Sequence, residues 1–237
     1  MVKVRGEIDK LWQKFGSYLK SIETEQTNIK VVYMRVLAAS DFHQEEELIE
    51  SIVSEANSGK YDLFIAPGDF VSEESYRDIE ERIEIPMIAA TGNWDFNFTP
   101  PSNDDFQFLH NYMKIDFQED YKIPVIGSVF PDDYQKDISE WVGDHDPKKL
   151  FFITHYPPKR LGDKAVTGVR AGIEGFRKMI MKLKPAAWFC GHIHEAFGHY
   201  KFMKTDVFNC SVVDSRKCFS VEFGEEGVED YEEVDLS

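Results

Sequence analysis

YDLFIAPGDF, residues 61–70, is the stretch of sequence that decides the fold. Its apolar run is short and uninterrupted, as in a strand that is buried on both faces, and it stops at a glycine followed by an aspartate. The pattern recurs, because the apolar runs VLAAS, MIAAT, FFIT and WFC stop at DFH, GNWD, HY and GHIH. Since the carboxyl ends of strands in an α/β sheet converge on one crevice, these polar groups are predicted to meet there.

Segments with helical spacing separate the strands. Apolar residues recur every three or four positions in 45–59, 73–83 and 173–184, and this alternation of strands and helices predicts an α/β fold. Three closely spaced runs within 197–223 predict antiparallel strands on a second sheet, so that two sheets pack between helices. The acidic stretch 225–235 is predicted to be a solvated edge or a frayed end.

Residues 1–33 have a pattern of their own, which predicts an N-terminal amphipathic helix added to a domain over residues 34–237. We expect its apolar face to dock on the parent domain or on a second subunit. Docking on a second subunit would make the protein a homo-oligomer. Lysines 10, 14 and 20 keep a membrane surface open as an alternative, although the acidic body argues against anionic lipid. The apolar face consists of Ile8, Leu11, Trp12, Phe15, Leu19 and Ile22.

The composition excludes several classes of protein. With 43 acidic and 27 basic residues, the formal net charge is -16, so long nucleic acid is not an expected partner. The three cysteines form no CxxC pair, which favours free thiols in a reducing compartment. No apolar run reaches the roughly 20 residues of a membrane span, and no signal-like stretch begins the chain. We therefore expect a soluble, cytoplasmic protein without a membrane partner.

Taken in order, the motifs D-x-H, G-D, G-N-x-D, H and G-H-x-H resemble those of the calcineurin-like metallophosphoesterase superfamily. The resemblance covers Met34 to Ser220 and implies a four-layer αββα fold with two divalent metal ions. It also implies that Asp69 bridges the two ions. The remaining ligands are implied to be Asp41, His43 and His194 for one ion, and Asn93, His155 and His192 for the other.

The activity that the resemblance implies is hydrolysis of a small phosphodiester or phosphomonoester by a hydroxide that bridges the two metals. Asp69, Asn93 and His192 are then the catalytic candidates. The residue types themselves also favour divalent metal ions, because imidazole, carboxylate and amide oxygen ligands suit Mn, Fe, Zn or Ni. A shared carboxylate can hold two cations ~3.5–4 Å apart. Taken singly, each residue also has a structural interpretation; Asp41, for example, could cap a helix.

Trp94 departs from the family pattern, which often has a histidine at this position to protonate the leaving oxygen. An indole N–H is not a general acid at neutral pH, so the proton would come from Tyr156, His110 or a metal-held water. Trp94 itself is interpreted either as a packing residue beside Phe96 and Phe98 or as an aromatic wall that binds the substrate.

The loop that follows His155 is locally basic, and we expect Arg160 and Arg170 to contact the anionic groups of the substrate. Glu195 and Asp95 are each predicted to orient a ligand histidine. Two other functions remain open at this point. One is a catalytically weak or inactive scaffold with the same fold, and the other is a nuclease that acts on short single strands.

Overall fold

The structure is a computed structural model, and it describes residues 33–95, 109–118 and 120–236. Within these residues the chain forms twelve strands: β1 (Met34–Ala38), β2 (Leu63–Ala66), β3 (Met87–Ala90), β4 (Leu109–His110), β5 (Tyr112–Phe117), β6 (Tyr121–Ile126), β7 (Phe151–Thr154), β8 (Ala187–Cys190), β9 (Gly198–Phe202), β10 (Thr205–Asn209), β11 (Lys217–Gly224) and β12 (Gly227–Asp235). Four α-helices accompany them: α1 (Glu46–Ala56), α2 (Glu73–Arg82), α3 (Tyr134–Val142) and α4 (Glu174–Leu183).

The strands form two mixed sheets. Sheet I has the order β12-β11-β1-β2-β3-β4, and sheet II has the order β5-β6-β7-β8-β10-β9. In sheet I, β1, β2 and β3 are parallel, whereas β11 pairs antiparallel with both β1 and β12. In sheet II, β6, β7, β8 and β10 are parallel, and β5 and β9 close the edges in the antiparallel sense. The parallel strands thus occupy the centre of sheet II, whereas in sheet I the parallel set continues through β4 to one edge.

Three apolar cores define the layers. The central core joins residues of both sheets, such as Val36 and Ile65 of sheet I with Ile153 and Phe208 of sheet II. A second core packs α1 and α2 on the outer face of sheet I, and a third packs α3 and α4 on the outer face of sheet II. Successive side chains of a strand point to opposite faces, so strands buried on both faces must be apolar throughout, as LFIA and AWFC are.

The predicted α/β fold with two sheets between helices is confirmed, but the assignment of the later strands is wrong in part. β9 and β10 do pair antiparallel, yet β10 also runs parallel to β8, and β11 lies in the other sheet beside β1. Local alternation predicts a strand without identifying its partners. Here one partner of β11 is β1, which lies almost the whole domain away in sequence.

Several elements were missed. β5 is half-exposed along its length, β12 is largely exposed and acidic, and α3 buries only three residues, so none of them carries a strong apolar pattern. The acidic stretch 225–235 is accordingly an ordered edge strand over most of its length. The predicted helix over 1–33, apart from Tyr33, lies outside the described residues. No helix in the described part of the chain is long and apolar enough to cross a membrane.

Candidate metal centre

The polar residues that follow the central parallel strands lie close together. Asp41 follows β1, Asp69 follows β2 and Asn93 follows β3, whereas His155 follows β7 and the GHIH turn follows β8. The carboxyl ends of both sheets therefore face one region of the molecule. The loops after these strands are joined by backbone bonds, such as the one from the Asp41 N–H to the Gly68 carbonyl at 2.9 Å.

The structure brings the predicted ligand residues into two overlapping groups. In each group the potential ligand atoms lie within 4.8 Å of one another, and Asp69 belongs to both. Asn93 adds its amide oxygen to the second group, 2.7 Å from His155 Nε2. The first group is Asp41, His43, Asp69 and His194, and the second is Asp69, His155 and His192.

In the first group the two imidazoles face each other through their Nε2 atoms, which lie 3.2 Å apart. His194 Nε2 is also 3.6 Å from Asp41 Oδ1. Asp41 is held in place by the Ser40 hydroxyl, which donates to Oδ2 at 2.6 Å, and by the His192 backbone N–H. Nitrogen and oxygen donors that converge at these distances fit a divalent cation.

In the second group both ring nitrogens of His155 face oxygen atoms. Its Nδ1 lies 3.0 Å from the Pro67 carbonyl, which only accepts hydrogen bonds, so Nδ1 carries the hydrogen and donates it. Nε2 lies 2.7 Å from Asn93 Oδ1 and 3.6 Å from Asp69 Oδ2, so a cation bound among these oxygens would take the Nε2 lone pair as a ligand. A metal ligand that donates its other ring N–H to a carbonyl is the usual arrangement of histidine at metal sites.

Burial sets the charge states of the cluster. It lowers the pKa of His192 to about 4, with the neighbouring His155 adding to the effect, so His192 is neutral and keeps a lone pair at neutral pH. Burial raises the pKa of Asp69 to about 7, and the Asp41 charge contributes. For Asp41 burial acts in the same direction, but the nearby His194 and His155 together with the Ser40 hydroxyl outweigh it and lower the pKa to about 2. A cation in the cluster would favour the ionised form of both carboxyls.

Four of the seven predicted ligands have left-handed backbone conformations, which non-glycine residues rarely adopt. The φ angles are 60° for Asp41, 50° for His43, 60° for Asp69 and 71° for His192. Such conformations cost about 1–3 kcal/mol each and persist where the surrounding structure enforces them, most often at functional sites. The fold therefore places these side chains against the preference of their own backbones.

The glycines of the motifs lie so close to neighbouring atoms that a side chain would not fit. A Cβ on Gly92 would lie 2.0 Å from Asp69 Oδ1, and one on Gly191 would lie 2.3 Å from Asp41 Oδ2. Gly68 has φ +110°, and its Cβ would lie 2.6 Å from the Gly92 nitrogen. Any side chain at these positions would displace a ligand carboxylate or the neighbouring turn.

Asp95 has a different role from the one predicted. Its buried carboxylate accepts backbone N–H groups from Asp69 at 2.9 Å, Val71 at 2.9 Å and Gly92 at 2.6 Å. It therefore orients the turns that carry Asp69 and Asn93 rather than a ligand histidine. The sequence shows that the motif contains a carboxylate, but it does not show which N–H groups donate to that carboxylate.

Trp94 lies at the surface of the cluster. Its backbone N–H donates to Asp69 Oδ1 at 2.9 Å, its ring centroid is 6.2 Å from that of His43, and 53% of the residue is exposed. The indole is therefore not a core residue, and Phe96, which the packing interpretation invoked, lies outside the described residues. Tyr156 is half-buried beside His192, with ring centroids 4.6 Å apart.

The basic loop after His155 is organised by Asp163, which the sequence did not single out. Its buried carboxylate accepts the Arg160 backbone N–H at 2.8 Å and pairs with the Arg170 guanidinium. Both arginines are exposed. Glu195 is exposed too, and it accepts the Val166 backbone N–H at 3.1 Å. It ties this loop to the GHIH turn, so the prediction that it orients a histidine is not supported by its contact.

Comparison with solved structures relates the fold to known proteins. One crystal structure matches with a TM-score of 0.67 at 12% identity, covering 86% of this chain and 99% of that one. The protein TT1561 of Thermus thermophilus matches with a TM-score of 0.57 at 12% identity over 87% of this chain and all of its own. Plasmodium GAP50, an anchor in the inner membrane complex, gives 0.52 at 8% identity over 86% and 89%. At these identities the likeness concerns the fold alone.

No curated protein matches the sequence. The family model of calcineurin-like phosphoesterases, in contrast, matches residues 34–196, well over half of the sequence. This range begins at β1 and ends just after the GHIH turn, so it contains every residue of the two ligand groups. With the two-sheet fold and the ordered motifs, this match shows that the chain belongs to the calcineurin-like phosphoesterase family.

Proposed function

We propose that the chain is a metal-dependent hydrolase of phosphoester bonds in a small phosphodiester or phosphomonoester. The observation that carries the proposal is the pair of ligand groups that share Asp69. Asp41, His43 and His194 would hold one divalent ion, and Asn93 with two further histidines, His155 and His192, would hold the other. The ligand types favour Mn, Fe, Zn or Ni.

When bound, the two ions would neutralise charge at the phosphoryl oxygens and activate a water molecule as the nucleophile at neutral pH. The chain's own residues position the ester. Asn93 directs its oxygen toward His155, which leaves its amide N–H groups as donors for a phosphoryl oxygen. His192 contributes a neutral imidazole from its side chain, and its backbone N–H fixes Asp41.

Substrate contacts are proposed for Trp94, Arg160 and Arg170. The exposed indole borders the cluster and offers an aromatic face to a group attached to the phosphate. Arg170 is oriented by Asp163, so its guanidinium is positioned for an anionic oxygen with less loss of side-chain freedom. The Arg160 side chain is exposed on the same loop.

The proposal is tested with metal-free protein resupplied separately with Mn, Ni, Zn and Mg. Hydrolysis of matched aryl and alkyl mono- and diesters is then measured. We expect turnover only with metal, and its loss in His155→Ala. The matched control is His145→Ala, because His145 is a partly buried histidine bonded to the Lys149 carbonyl, outside the ligand groups. Equal turnover with and without metal would contradict the proposal.

The second candidate function is a scaffold, and the exposed Trp94 in place of an imidazole favours it. Plasmodium GAP50, which shares the fold, is an anchor in a membrane complex. A scaffold would bind metal without turning over any ester in the panel. Adding short single-stranded oligonucleotides to the panel tests the nuclease alternative, which the net charge of -16 disfavours.

A cytoplasmic location is proposed from the thiols. Cys190, Cys210 and Cys218 are all free and buried in the structure. Free thiols are typical of reducing compartments.

A further inference from the structure

Large apolar side chains are exposed on the loops around the ligand groups. The described part of the chain exposes nine such side chains, and four of them lie on three loops next to the cluster. We call these four the apolar rim: Trp94, Val129, Val166 and Val169. Their exposed fractions are 53%, 67%, 83% and 63%.

Each loop is bonded to a turn that carries ligands. Trp94 directly follows Asn93 and donates its backbone N–H to Asp69. Val129 follows Ser128, whose backbone N–H donates to the Thr91 carbonyl at 2.9 Å, at the start of the same turn. Val166 donates its backbone N–H to Glu195, the residue after His194.

The two remaining valines share one hairpin. Lys164 and Arg170 form an antiparallel bridge, and the Ala165 N–H donates to the Val169 carbonyl at 2.9 Å, so Val166 and Val169 lie at its tip. The base of the hairpin is basic, and Arg170 is paired with Asp163. The hairpin thus combines cationic groups with an apolar tip, and the Val166 bond to Glu195 fixes it beside the GHIH turn.

We propose that the apolar rim binds an apolar aryl group attached to the phosphate through its ester oxygen, so that the substrate class is phosphoesters of apolar phenols. This inference rests on the proposed function and specifies its substrate. A phosphate held by the two ligand groups would bring its ester group within reach of the surrounding loops. Contact between such a group and the apolar side chains of the three loops would remove apolar surface from water, and this stabilises the complex.

The absence of an imidazole at position 94 also fits this substrate class, because of the basicity of the leaving group. A phenoxide, whose oxygen is attached to the ring, is a weak base and needs little help from a proton donor as it departs, whereas an aliphatic alkoxide needs such help. A centre that has an indole in place of the usual acid is suited to the substrates that its rim would bind.

The test measures binding of two non-hydrolysable probes, phenylphosphonate and methylphosphonate, to the metal-loaded protein by titration calorimetry. We expect the phenyl compound to bind about tenfold more tightly. In Val166→Ser/Val169→Ser this preference should shrink severalfold, while binding of methylphosphonate stays unchanged. In Trp94→Ala the preference should shrink severalfold as well. The matched control is Met203→Ser, which removes an equally exposed apolar side chain from the β9–β10 turn and should keep the full preference.

The outcomes separate the two proposals. Equal binding of both phosphonates by the wild-type protein, or a preference that survives in both rim variants, overturns the inference alone. Binding of neither compound overturns the proposed function and the inference with it. A lower molecular mass of the Val166→Ser/Val169→Ser variant in light scattering, with the phenyl preference intact, would assign the rim to a second copy of the chain and overturn the inference.

Discussion

Asp69 combines several demands in one residue. It is almost fully buried, has a left-handed backbone, contributes to both ligand groups, and accepts the Trp94 N–H on Oδ1 while Oδ2 faces His155. A carboxylate is the side chain that offers two oxygens and a negative charge in so small a volume. An amide of the same shape keeps one oxygen and loses the charge.

We predict that Asp69→Asn lowers the metal content and abolishes turnover. Loss of the shared charge should weaken metal binding more than about 100-fold, since outer partners of metal ligands alone contribute 10–100-fold. Elemental analysis and kinetics measure the two effects. Asp206→Asn is the control, because Asp206 is also buried and bonded to a histidine but lies outside the ligand groups. Full metal stoichiometry with unchanged turnover in Asp69→Asn would contradict the dinuclear proposal.

Trp94→His is predicted to restore a proton donor at the surface of the cluster. The gain should appear for alkyl esters, up to about 10²-fold, and be small for aryl esters, whose leaving oxygen needs no proton. Steady-state kinetics on matched esters measures it. Trp94→Phe serves as the control that keeps a ring without a donor. If leaving-group dependence is equally flat in wild type and Trp94→His, another residue such as Tyr156 supplies the proton.

At the scale of elements, the sequence is informative where burial is complete. Runs such as LFIA and FFIT predict strands, and the polar residues after them predict a site, because parallel strands end at a common edge. The sequence carries no strong apolar pattern in β5, which is half-exposed, or in β12, which is largely exposed. The contacts of Asp95 and Glu195 are also not readable from the sequence, since each accepts a backbone N–H from a residue far away along the chain. Asp163 has partners nearby in sequence, Arg160 and Arg170, but the sequence does not mark its carboxylate as buried.

The turns after β2 and β3 depend on one carboxylate, and we predict that Asp95→Ala disrupts both. Three backbone N–H groups would lose their acceptor, at about 1–3 kcal/mol for each one that stays buried and unpaired. Metal affinity should fall about 10–100-fold although no ligand is changed. Asp95→Asn, which retains one acceptor oxygen, should lie between Ala and wild type. Titration with metal at a temperature where all variants are folded gives the comparison, and unchanged affinity in Asp95→Ala would refute this role.

The whole molecule is held by a core shared between the sheets, and the predicted helix over residues 1–33 is expected to add to it or to an interface. Deletion of residues 1–33 should therefore lower the melting temperature or change the oligomeric mass, while the ligand groups still bind metal. Light scattering and a thermal melt measure these quantities. Replacing Leu11 and Phe15 by Ser tests the apolar face without shortening the chain. An unchanged mass and melting temperature in both variants would contradict the prediction.

The edge strand β12 bears on how copies of the molecule behave in a crowded solution. Among the described strands it pairs only with β11, and a free edge of this kind offers backbone groups to which a further strand could add. Five carboxylates along it, at positions 229, 230, 232, 233 and 235, repel an identical edge. Salt weakens such repulsion, and at physiological ionic strength exposed charges more than about 8 Å apart are largely screened from one another. Raising the salt concentration should therefore increase light scattering by concentrated protein, and replacing the five acids by amides should produce the same increase without added salt.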